Sequence, residues 1–114
     1  MTKYLISFPS AAMQHLTAEE LQAADHDSRE VVRAAKAAGV WVFGGGVDES
    51  VAPVLVEGDG AVRDGTYPER PRLDGGFTVL EVPSREAALE WAAKIAAACR
   101  CAQEVRAFMY DPES

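Results

Sequence analysis

Val40-Trp41-Val42-Phe43 is apolar at every position and runs straight into Gly44-Gly45-Gly46. A strand that is apolar on both sides needs cover on both sides. The rest of the chain must provide that cover, and two helical stretches are all it offers. One is the segment from Leu16 to Val40, in which Thr17 and Glu20 have the spacing of a capping box and Leu16 and Leu21 that of a hydrophobic staple. Gly39 stands where a left-handed residue closes a helix. The other starts at Ser84, a capping residue after Pro83, and carries Ala88, Trp91, Ala92, Ile95 and Cys99 at three- and four-residue spacing.

Strands fill the remainder. Tyr4, Ile6 and Phe8 alternate with Leu5 and Ser7 up to Pro9, and Phe77 to Val82 forms a second run closed by Pro83. Gln103 to Tyr110 reads as the last strand. Pro53–Glu57 and Ala61–Arg63, on either side of Gly58-Asp59-Gly60, read as a short hairpin. Strand, helix, strands, helix, strand is the order of a split β-α-β pair. The fold class is therefore α+β, ferredoxin-like, an antiparallel sheet with two helices on one face. Residues 1–110 make a single domain and 111–114 a short tail.

Two helices leave the other sheet face bare. With simple alternation, Trp41 and Phe43 point one way and Val40 and Val42 the other, while Phe77, Val79, Leu80 and Val82 divide between the faces. The bare side is then a large apolar patch, which a two-fold dimer packed sheet against sheet hides. A homodimer is expected.

Charge narrows the partners. The 114 residues carry a formal charge of −7, against nucleic acid or an anionic membrane, either of which selects basic surfaces. The N-terminal MTKYLISF is interrupted by Pro9 too soon to serve as a signal peptide or a span, so the cytoplasm is the expected location. Cys99 and Cys101, with two scattered histidines, form no ligand set for a metal, and no cofactor is expected. Gly44-Gly45-Gly46 lacks the Lys-Ser/Thr and the helix of a phosphate loop and reads as a bulge or strand end. Cys99 falls on the apolar face of its helix, and Trp41 and Trp91 read as core.

On the first helix, at about 100° per residue, Leu21, Ala24, Ser28, Val31, Val32 and Ala35 share the face that must be buried, with Ser28 at its centre. His26 lies nearly opposite and should face solvent between Asp25 and Asp27.

The stretch RDGTYPERPRLDGGF, Arg63 to Phe77, is polar and glycine-rich between two apolar runs. It resembles the DGPF signature of the YCII-related proteins through Asp64, Gly65, Glu69, Gly75, Gly76 and Phe77, with Tyr67 where the signature has Phe. KYLISF, AAGVWVFGGGV, TVLEVPSREAALEWAAKI and EVRAF agree with the same family, so the resemblance spans nearly the whole chain. It implies a dimeric α+β barrel and a small-molecule pocket near the DGPF-like loop. In this chain Thr66 and Tyr67 replace Pro-Phe, Pro71 falls where a Lys is usual, and Ser28 stands where relatives place a helix His.

Asp64 is the candidate catalytic residue: a carboxylate where a strand gives way to Gly65 can be aimed at a substrate, or can instead accept N–H groups of its own turn. Ser28, Tyr67, Glu69, Arg70 and Arg72 are the candidate ligand-binding residues, the arginines as bidentate anchors for an anion or phenolate. Two functions stay open. One is a sensing or regulatory module that binds a small molecule, with a regulatory protein as partner. The other is a lyase or isomerase, dehydrochlorinase-like by resemblance, that uses Asp64 as acid or base on a phenol, quinol or lactone.

Overall fold

The computed structural model describes residues 1–69 and 73–114. Its elements are β1 (Thr2–Phe8), a 3-10 turn (Ser10–Met13), α1 (Ala18–Ala37), β2 (Trp41–Gly46), β3 (Val54–Val56), β4 (Val62–Asp64), β5 (Gly76–Val82), α2 (Arg85–Cys99) and β6 (Glu104–Ala107). The main sheet has the order β2-β5-β1-β6, every neighbour antiparallel. In each β-α-β half, the two strands joined through a helix are separated by one strand from the other half. That is the ferredoxin-like pattern expected from the order of elements. The last strand is shorter than expected, ending at Ala107.

The helices begin and end where their residues dictate. The Thr17 hydroxyl accepts from the Glu20 N–H at 3.2 Å, and the Glu20 carboxylate accepts from the Thr17 N–H at 3.1 Å, which closes the capping box at α1. Gly39, at φ 74°, takes the left-handed position just beyond the helix. The Ser84 hydroxyl accepts from the Ala87 N–H to start α2. Arg100 ends α2 in a left-handed conformation, φ 59°, and its guanidinium donates to Asp27 of α1 at 2.9 Å, tying one helix to the other.

Both helices lie on one face of the sheet. Tyr4 and Ile6 of β1, Leu80 and Val82 of β5, Ala35 of α1, and Ala88 and Ala92 of α2 form the buried core. Alanines on both helices allow a close approach to the strands, and Leu80 and Val82 lose all contact with solvent. The opposite face presents Leu5, Phe43 and Val79, with Lys3–Glu81 (3.5 Å) and Arg106–Glu104 (3.0 Å) ion pairs toward β1 and β6. The segment from Phe108 to Ser114 runs along one flank of that face beside Lys3, Val79 and Glu81.

One expectation needs correction. Trp41 and Phe43 do not share a face. Trp41 pairs with Leu80 and Phe43 with Val79, so an irregularity at Val42 shifts the register by one residue. Trp41 therefore turns to the helices while Phe43, 64% exposed, turns to the open face. Gly44 then follows Trp41 on the helix side, and Gly45 follows Phe43 on the other.

Among the described residues β3 and β4 pair only with each other, through Val54↔Asp64, Leu55↔Arg63 and Val56↔Val62. This ribbon touches the main body little, and its Val54, Val56 and Val62 are all exposed. The radius of gyration is 15.9 Å, above the value of about 13 Å for a compact chain of this length.

Candidate functional site

The helix face of α1 is not fully packed. Of the residues on its inward side, Ala24 and Ala35 are buried, Ser28, Val31 and Val32 are half-buried, and Leu21 is exposed, contrary to expectation. A cavity of about 560 Å³ explains the half-burial: Ser28, Val31, Val32 and Ala35 form its roof. Its floor and walls come from the ends of β1, β2 and β5 and from Trp91, Ile95 and Cys99 of α2.

Glycines make this space. A Cβ on Gly44 would lie 2.5 Å from the Trp41 ring, and one on Gly76 would lie 2.7 Å from the Phe8 ring. Each aromatic ring packs closely against a glycine of the sheet, so bare backbone and aromatic rings line this part of the hollow. Gly75 is required more strictly. It holds φ 83°, and a Cβ there would fall 2.0 Å from the Phe8 carbonyl oxygen. Its own carbonyl accepts from the Val47 N–H at 2.9 Å, and the neighbouring Asp74 carboxylate accepts from the Ser10 N–H at 3.0 Å. The DGGF end of the polar stretch thus buckles the ends of β1, β2 and β5 together.

The charge of the lining is one-sided. Arg29, Arg33 and Lys36, one row along α1, border the cavity, and no carboxylate lines it among the described residues. Arg29 is held by Asp25 at 3.1 Å and Arg33 by Glu30 at 3.3 Å. Lys36 has no acidic partner within ion-pair distance among the described residues, and its ammonium stands 5.8 Å from the centre of the Trp41 ring. The Ser28 hydroxyl donates to the Asp25 carbonyl at 3.0 Å, a local bond within the helix. Burial pushes the Cys99 thiol up, so at neutral pH it is a neutral piece of wall rather than a thiolate.

Of the residues expected at a site, Ser28 lines this cavity. Asp64, at the end of β4, is exposed and does not line it; among the described residues its carboxylate has no hydrogen-bond or ion-pair partner. Tyr67 is 66% exposed, and Glu69 is exposed as well; neither reaches the cavity. Arg70 and Arg72 lie outside the described residues. His26 faces solvent as expected, with its Nδ1 3.3 Å from Asp27 and its Nε2 4.0 Å from Glu30. The sequence reading missed the aromatic walls and the α1 cations. Trp41 and Trp91 had a signal, since both fall at the boundary of core and helix, but their ordinary reading is packing.

No helix among the described residues is long and apolar enough to cross a membrane, and no cluster there could hold a metal ion.

A ferredoxin-like sheet with two helices on one face and a hollow beneath the first of them defines a small α+β domain built around a cavity. Within that class the chain belongs to the YCII-related family: the family's domain model matches residues 4–109. No curated protein matches the sequence.

Proposed function

We propose that this protein is a homodimeric small-molecule-binding module of sensing or regulatory type, whose site is the cavity under α1. The observation that carries the reading is the cavity itself: about 560 Å³, walled by aromatic rings lying on glycines, with a few polar groups at its edge. Concave, mostly apolar hollows of several hundred Å³ with sparse polar groups are the usual form of a ligand site. Binding is favoured over turnover because the described lining holds Ser28, Thr78 and three cations but no Asp, Glu or His to act as acid or base. Asp64, the carboxylate that the catalytic alternative needs, stands away from the hollow in the single chain.

The dimer is supported by what one chain leaves bare. Phe43 on the open sheet face and Val54, Val56 and Val62 on the ribbon put large apolar side chains in water. A second copy packed on the open face removes that cost at Phe43.

A thermal-shift screen with phenols, quinols, lactones and small acids tests the binding reading. A ligand at 100 times its Kd raises stability by about 2.7 kcal/mol, and the response is lost when Val32→Phe fills the hollow. A response that Val32→Phe leaves unchanged places binding elsewhere and contradicts the reading.

A further inference from the structure

The geometry points to an aromatic carboxylate as the ligand, its ring held among Phe8, Trp41 and Trp91 and its acid group at Lys36. This inference rests on the cavity being a ligand site and adds the chemical class of what it takes.

The charge distribution leads to it. The chain has 18 acidic and 11 basic residues, yet the described lining of the hollow contains three cations and no carboxylate. A cavity of the opposite sign to the molecule that bears it favours an anion there, and low-dielectric walls concentrate its field. The three cations differ in what they can still offer. Arg29 and Arg33 are engaged by Asp25 and Glu30 on the same helix. Lys36 is the cation without an acidic partner among the described residues, and it sits in the last turn of α1 at the lip of the hollow. Its position over the Trp41 ring places an ammonium beside an aromatic surface. A ligand with a flat ring and one carboxylate uses both: the ring stacks along Trp41, and the acid group replaces water around Lys36.

The walls select the shape. Phe8 and Trp41 pack closely on Gly76 and Gly44, so the sheet side of the hollow there is bounded by aromatic rings and bare backbone. Flat, apolar surfaces accept a planar ring edge-on or in offset stacking. An aliphatic acid of similar size satisfies the charge but forfeits those contacts.

The test compares matched carboxylic acids and carboxamides of benzene, naphthalene and biphenyl, followed by intrinsic fluorescence. The chain has two tryptophans, Trp41 and Trp91, and both line the cavity, so the signal reports on this site. The inference predicts that at least one acid binds saturably and roughly tenfold or more tighter than its amide, since a hydrogen bond to a charged group carries that much advantage. It predicts that Lys36→Met abolishes the acid's preference over its amide, and that added salt weakens the acid more than the amide. Acid and amide binding alike, or a preference that survives Lys36→Met, overturns the choice of an anion and leaves the ligand cavity standing. No saturable binding of any acid or amide in the panel overturns the inference, and the cavity is then judged by the broader screen with Val32→Phe.

Discussion

Val79 and Leu80 are consecutive residues of one strand with opposite fates. Leu80 faces the helices and is 0% exposed, packed among Tyr4, Ile6, Ala88 and Ala92. Val79 faces the other way, beside Leu5 and Phe43, where the C-terminal segment borders it among the described residues. The helix face is completed by alanines that let α1 and α2 settle onto the strands, except at the β2 edge, where glycines leave the cavity. The open face is apolar at its centre and charged at its margin, a pattern that suits a partner surface better than water. One side of the sheet thus holds the core and the hollow; the other is the face on which the proposed dimer rests.

Breaking the helix side costs most. Leu80→Ala removes a fully buried side chain from the centre of the core and should lower unfolding stability by about 3 kcal/mol, within the usual range of about 2–5. Urea unfolding followed by circular dichroism measures it. A loss under about 1 kcal/mol would mean that the core is looser than its burial indicates.

Its neighbour separates the two faces. Val79→Lys places a charge at the centre of the open face without touching the helix side. We expect a folded protein of unchanged secondary structure that sediments as a single chain. If the variant keeps the mass of the wild type, the open face is not the contact surface.

Acid should act on the helix side through α1 and α2. The Asp27 carboxyl is held below its ordinary value of 3.8, first by the hydrogen bond with His26 and then by that with Arg100. Because the folded chain binds this proton less readily than the unfolded one, the contribution is whole above the ordinary aspartate pKa and is lost as pH falls through the lower folded value. Thermal melts below about pH 4 should therefore fall less steeply for Asp27→Asn than for the wild type. Parallel curves would assign the acid sensitivity to other carboxylates.

The smallest effect is expected in the ribbon. Asp64→Asn alters an exposed carboxylate without a partner among the described residues, so stability should stay within about 0.5 kcal/mol and the mass in solution should match that of the wild type. A larger loss would show that the carboxylate supports its turn after all.

Much of the fold is legible in the sequence. Thr17 and Glu20 announce a capping box, Gly39 a left-handed stop, and the alternation of Tyr4, Ile6 and Phe8 a strand with one buried side, because each signal is local. The bulge at Val42 could not be read. Val40 to Phe43 alternates as well in either register, and only pairing with β5 decides that Trp41 and Phe43 part company. The cavity was hidden for a related reason: Gly44 and Gly76 come together only through the β2–β5 pairing, and the space they create belongs to no single segment. The polar loop stands differently: Asp64 ends β4 and Tyr67 follows it, both exposed and outside the cavity lining, while Arg70 and Arg72 lie outside the described residues. What the loop does contribute is its far end, where Asp74 and Gly75 close the sheet's corner and Gly75 and Gly76 border the hollow.

The division of labour between the two sheet faces is tested most directly by light scattering of the wild-type protein through a dilution series. Burial of Leu5, Phe43 and Val79 against a second copy predicts a particle of twice the 12.2 kDa of one chain. A monodisperse species of 12.2 kDa at every concentration would contradict it.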